Sequence, residues 1–244
     1  MPGELRIAVL SDIHGNLAAL EAVIADIRRH GVDAVINLGD SLSGPLLPLQ
    51  TAQCLMAQDW THLAGNHERQ ILELNERSAA SDQFAHAQLG EHELSWIASL
   101  RPALQWREQV FACHGTPHSD VLSLLENADR PARPEEIEAR LGGVQAELLL
   151  CGHTHVPRSV RSRSGMLIVN PGSVGHPAYL DDYPYPHAIE SGSPDARYAL
   201  IDYRAGHWHS QLLNVPYDPA PMAQLALKQQ RPDWAQALLT GYVT

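Results

Sequence analysis

Sulfur is scarce in this chain. Its 244 residues include three cysteines, Cys54, Cys113 and Cys151, an odd number with no CxxC spacing. That argues against a disulfide framework and points to a reduced, cytosolic protein. Cys113 and Cys151 close the apolar runs VFAC and LLLC and read as small buried core residues. Charge is sparse too, at 18% of residues, and 44% are apolar, so extended disorder away from the termini is not expected. The charge leans acidic, with a formal net charge of −11 and a pI of about 5.6. Long-range repulsion of polyanions speaks against an extended nucleic-acid groove. A compact phosphate ester is still admissible if divalent cations reverse the sign locally. No apolar run is long enough to span a bilayer, and the chain enters a strand-like run at Arg6–Leu10 with no signal peptide ahead of it. A soluble, cytoplasmic protein without a membrane partner is the expectation. Internal repeats and low-complexity tracts are also missing.

What the chain does have is alternation. IAVL at 7–10, AVINL at 34–38 and THLAG at 61–65 read as strands. Between them, Asn16–His30 reads as a helix with Asn16 as N-cap and Leu17, Leu20, Ile24 and Ile27 on one stripe, and Pro45–Gln58 as a second helix. This βαβαβ order argues for a sheet of crossover units. Residues 68–100 form a more polar helical insert. Hairpins follow at 104–106 with 110–113, at 159–161 with 166–169, and at 197–203 with 208–215, with a buried strand at 146–152. A short helix is expected near Glu135–Leu141, and two more after Pro219 and Pro232. Asp181–Pro194, rich in Pro, Ser and Gly, reads as a mobile surface loop. One domain spanning 1–244 accommodates all of this, with a C-terminal hairpin and helices at about 195–244. A homo-oligomer is left open.

Five segments place metal-binding side chains where strands run out: Asp12-Ile13-His14, Gly39-Asp40, Gly65-Asn66-His67, His114-Gly115 and Gly152-His153-Thr154-His155. Asp12 and His14, like His153 and His155, are two apart, which in extended chain sets them on one side. Asp40 is the bridging candidate, because a carboxylate can bind two cations through its two oxygens. Asn66 offers a neutral oxygen suited to a hard cation. His67, next to a ligand, can reach the substrate as an acid. Two divalent ions and two carboxylates leave about +2 at the centre, which attracts phosphate and favours a deprotonated water. Oxygen and imidazole donors without thiolate point to manganese first, with iron or zinc as alternatives. The set reads as equipment for metal-assisted phosphate-ester hydrolysis.

In order and spacing these segments resemble the calcineurin-like metallophosphoesterases, whose pattern is D-x-H, G-D, G-N-H, H and G-H-x-H. The likeness runs from about residue 6 to 175 and takes in the turn Asn170-Pro171-Gly172-Ser173-Val174-Gly175, similar to small bacterial and archaeal members. It implies an α/β fold, a four-layer αββα sandwich with a dinuclear site at one edge. By the same resemblance, one metal takes Asp12, His14, Asp40 and His155. The other takes Asp40, Asn66, His114 and His153, with a bridging hydroxide as nucleophile and His67 as the phosphate-side acid. The related G-D-x-x-D/N-R-G segment departs here to Gly39-Asp40-Ser41-Leu42-Ser43-Gly44-Pro45, without the acidic or amide residue and without the arginine. Arg69 is a candidate substitute, Arg158, Arg161 and Arg163 read as exposed hairpin charges, and His118 and His176 are weighed as substrate contacts. The favoured expectation is a phosphodiesterase acting on a small substrate. The alternatives are a phosphomonoesterase or dinucleoside-polyphosphate hydrolase, and a non-catalytic scaffold of the same fold.

Overall fold

The computed structural model describes residues 4–182 and 186–244. Its first third is β1 (Leu5–Leu10), α1 (Leu17–His30), β2 (Ala34–Asn37), α2 (Pro48–Met56) and β3 (Thr61–His62), with the three strands parallel. α1 starts where the Ala19 N–H donates to the Asn16 side chain, and it stops at Gly31 in the left-handed conformation. Leu20, Ile24 and Ile27 of the expected stripe are buried, and Leu17 packs half-buried at its edge. α2 is shorter than the sequence suggests. The chain loops through Leu47 first, and Pro48 opens the helix, where its missing N–H is harmless.

The helical insert is three helices, α3 (Asn66–Leu72), α4 (Ala80–Gln88) and α5 (Glu91–Ser99). β4 (Ala103–Arg107) and β5 (Val110–Cys113) make the expected hairpin. α6 (Pro134–Leu141), β6 (Leu148–Leu150), and the hairpin of β7 (Arg158–Arg161) and β8 (Leu167–Asn170) follow. The 181–194 segment is not simply a loop. β9 (Ala178–Asp181) pairs antiparallel with β10 (His187–Glu190), although residues 183–185 lie outside the described residues. β11 (Ala196–Arg204) and β12 (His207–Val215) form a long hairpin, and α7 (Ala220–Lys228) and α8 (Pro232–Thr240) close the chain.

Two five-stranded sheets result, ordered β12-β11-β1-β2-β3 and β4-β5-β6-β8-β7. Strand alternation divides their side chains between two cores. Ile7, Val9 and Ile36 meet Val110, Leu148, Leu150 and Val169 between the sheets. Ala8, Leu10 and Val35 face outward onto Leu20, Val23 and Ile27 of α1. On the far side Cys113, Leu149, Cys151 and Ile168 meet Ile137 and Leu141 of α6. This is the four-layer helix–sheet–sheet–helix sandwich, with Cys113 and Cys151 buried as free thiols. Among the described residues, no helix is long and apolar enough to cross a membrane.

Candidate dinuclear metal centre

The site is built from the loops that leave β1, β2, β3, β5 and β6. These loops are laced together by backbone bonds: Asp12 N–H donates to Gly39 O (3.0 Å), His14 N–H to Asp40 O (3.1 Å) and Gly152 N–H to His114 O (2.7 Å). The side-chain convergence does not arise from extended period-2 spacing. Asp12 (φ 57°), His14 (φ 52°), Asp40 (φ 53°), His153 (φ 70°) and His155 (φ 58°) all lie in the left-handed region. Non-glycine residues seldom sit there, because Cβ crowds the backbone. Such strain collects at functional sites, where the surrounding structure enforces it.

Two motif glycines are needed for close approach. A Cβ on Gly65 would stand 2.1 Å from Asp40 Oδ1, and one on Gly152 would stand 2.1 Å from Ser11 Oγ. The Asn170–Gly175 turn is scaffolding of the same kind. Asn170 Nδ2 donates to Gly152 O (2.8 Å) and Thr154 Oγ1 (3.0 Å), and Ser173 Oγ donates to Asp12 O (2.7 Å). Buried Glu68 accepts three backbone N–H bonds, from Asp40, Ser41 and Gly65 at 2.7–2.8 Å, tying the second loop to the third.

The histidine rings are oriented by carbonyl oxygens, which can only accept. His14 Nδ1 lies 2.8 Å from Ser43 O, His155 Nδ1 2.7 Å from His176 O, and His114 Nδ1 2.9 Å from Leu38 O. Each Nδ1 therefore carries a proton, which turns each Nε2 toward the centre as the nitrogen that a cation would take. His153 is reversed, with Nε2 3.1 Å from Val121 O, so Nδ1 is its free nitrogen. The consequence is that ring nitrogens and carboxylate oxygens converge at short range. His14 Nε2 is 3.1 Å from His155 Nε2. His155 Nε2 is 3.3 Å from Asp12 Oδ1, and His114 Nε2 is 3.0 Å from Asp40 Oδ2. Buried Asp12 Oδ1, Asn66 Oδ1 and His114 Nε2 have no hydrogen-bond partner among the described residues.

Burial, helped by the neighbouring His155, keeps His14 neutral down to about 3. Burial, with His114 alongside, holds His153 at about 4. His114 differs. Burial opposes its protonation, but Asp40 outweighs that and holds it up to about 10, so a proton can answer the carboxylates where a cation is missing. Ligand atoms of Asp40, His114 and His153 lie within 4.8 Å of one another, as do those of Asp12, His14 and Asp40. Asp40 is common to both groups. Once His114 gives up its proton, this donor set of oxygens and imidazoles fits divalent ions.

His67 stands beside the cluster, its backbone N–H donating to Asp40 Oδ1 (2.9 Å) and its Nδ1 lying 2.7 Å from Asp82 Oδ1. Against burial, Asp40 and Asp82 hold the ring up to about 9. Asp82, fully buried in the first turn of α4, escaped the sequence reading, and no local pattern marks it. His176 does come to the site. Its ring nitrogen is grouped with those of His14 and His155 within 4.8 Å. His118 instead packs against Gly142 at the end of α6. Arg69 is held by Asp120 through both ends of its fork, at 2.8 and 3.0 Å. Arg158 and Arg163 pair with Glu126 (3.0 Å) and Glu135 (3.3 Å), and Arg161 donates to the carbonyls of Gly165 and Trp208 (both 3.1 Å).

Comparison with known proteins agrees with this geometry. The uncharacterized protein MJ0912 of Methanocaldococcus jannaschii is 24% identical over 253 residues, covering 93% of this chain and 94% of that protein. A crystal structure of a metallophosphoesterase from Sphaerobacter thermophilus superposes with a TM-score of 0.78 at 23% identity, over 97% of this chain and 98% of that one. Hypothetical protein PH1004 from Pyrococcus horikoshii OT3 does so with a TM-score of 0.73 at 19% identity and the same coverage of 97% and 98%. These likenesses establish the fold. The calcineurin-like phosphoesterase superfamily domain matches residues 5–188, which take in every ligand segment, and the chain belongs to that superfamily.

Proposed function

We propose that this protein is a two-metal hydrolase of small phosphate esters, and that it prefers diesters. The observation that carries the reading is the convergence of the His14, His114 and His155 ring nitrogens on the Asp12 and Asp40 carboxylate oxygens, a buried cluster that calls for cations, or for a proton where they are missing. One ion is assigned to Asp12, His14, Asp40 and His155, the other to Asp40, Asn66, His114 and His153, with manganese preferred and iron or zinc as alternatives. When bound, such ions supply Lewis acidity toward phosphoryl oxygens and activate water near neutral pH. Asp40 would hold both through its two oxygens. His67 would offer an Nε2–H to the departing oxygen, because Asp40 and Asp82 keep its ring doubly protonated up to about 9 while Asp82 accepts from Nδ1. The free thiols support a reducing compartment, and we place the protein in the cytoplasm.

The preference for diesters rests on missing cations. A monoester dianion calls for an arginine fork. Position 44, where the related segment carries arginine, is glycine, and a Cβ there would lie 2.9 Å from the Trp234 ring. An aromatic from α8 thus fills the space beside it, and Arg69 is already paired to Asp120. A nitrophenyl diester should show a kcat/KM about tenfold above the matching monoester, or about 1.4 kcal/mol of transition-state binding. Rates at saturating manganese and pH near 8 test this. A clear monoester preference would move the protein to the phosphatase class.

A further inference from the structure

We infer that His176 is an additional ligand of the ion assigned to Asp12, His14, Asp40 and His155, and that Trp234 is its positioning residue. This rests on the two-metal reading above and extends it, since the D-x-H, G-D, G-N-H, H and G-H-x-H pattern has no member at this position.

The backbone of the Asn170–Gly175 turn brings His176 there. Gly175 N–H donates to Asp12 O (3.0 Å), and a Cβ on Gly175 would stand 1.8 Å from Ile13 O, so the chain runs hard against the Asp12 loop. His176 N–H donates to Ser173 Oγ (2.9 Å), and the His176 carbonyl orients His155. Its ring then lies edge-on to two ligands, with centroids 5.4 Å from His14 and 5.6 Å from His155.

The way this ring is held differs from the others. His14, His114, His153 and His155 each spend one nitrogen on a carbonyl. The His176 ring, in a residue only 8% exposed, brings a nitrogen within 4.8 Å of the His14 and His155 ring nitrogens. The ring is fixed by its face instead: Trp234 of α8 stacks on it at 3.8 Å with planes 6° apart. Stacking on a face leaves the nitrogens, which lie in the edge, free to point at an ion. Three imidazoles at one site against two and an amide at the other would make the sites unequal. Nitrogen-preferring ions would bind the first more tightly.

Metal titration tests this without reference to turnover. Wild type, His176→Ala, His176→Phe and Trp234→Leu would be loaded with cobalt or manganese against graded chelator. The phenylalanine variant keeps the stack and guards against collapse of the packing. Binding at the tighter site should weaken about 10- to 100-fold in both His176 variants, and by less in Trp234→Leu. The cobalt absorption of that site should change, while the second site keeps its affinity. Unaltered affinity and cobalt spectrum in His176→Phe would overturn the assignment while leaving the two-metal reading intact. Failure of the wild type to bind metal would overturn both.

Discussion

Asp82 determines what His67 can offer. A buried carboxylate accepting from Nδ1 at 2.7 Å fixes the ring and favours its doubly protonated form, held up to about 9. Replacing Asp82 by Asn should leave both metal sites occupied and lower kcat, more for alkoxide leaving groups than for nitrophenolate. The loss should be within the roughly 10²–10⁴-fold of general acid catalysis. The sign of the pH effect follows. Without the carboxylate the charged ring is less favoured, its pKa falls, and the alkaline limb of kcat moves to lower pH. An unchanged limb would remove His67 from the acid role. His114 supplies a second pH test. Its metal-free Nε2 holds a proton up to about 10, and an ion must displace it. Metal affinity should climb about tenfold per pH unit between 7 and 9, with proton release visible in calorimetry across buffers. Flat affinity over that range would contradict a ligand role for His114. The seven candidate ligands were legible because each sits in a motif segment at a strand end. Asp82 was not, since nothing in Ala79-Ala80-Ser81-Asp82 distinguishes it from an ordinary acidic residue at a helix start. The left-handed backbone was hidden for a related reason: it is uncommon for any non-glycine residue, Asp and His included, and only the assembled loops enforce it here.

At the scale of elements, apolar runs bounded by glycine located the strands well, and the stripe and cap of α1 stand where the periodicity put them. Short elements were harder. β3 keeps only two residues because Leu63 turns to pair with Arg101. β10 lies in a segment whose Pro, Ser and Gly content reads as loop, and its pairing with β9 is a tertiary effect. The Asn170–Gly175 turn was visible as a motif but not its task, which is to brace two ligand loops. Asn170→Ala would remove the side-chain donor to Gly152 O and Thr154 Oγ1 and strand the Gly172 N–H, which now donates to Asn170 Oδ1 (2.9 Å). The expected loss is about 2–4 kcal/mol in urea unfolding of the metal-free protein. A loss below about 0.5 kcal/mol would show that the turn holds without it.

For the whole molecule, the two-sheet sandwich follows from βαβαβ order and fully buried strands, and the resemblance supplied the second pair of layers. The C-terminal helices were the least legible part. No motif marks them, yet α7 and α8 pack on Leu46 and carry Trp234 to the centre. They therefore border the candidate site, while the proposed ligands come from elsewhere. A chain of net charge −11 that buries Asp12 and Asp40 in one cluster is suited to hosting cations. The count of bound ions is the most direct test of the account. After loading with manganese and exhaustive dialysis, the wild type should retain two ions per chain. Asp40→Ala should lose most of both, along with ester hydrolysis. Two ions kept by Asp40→Ala, or none held by the wild type, would contradict it.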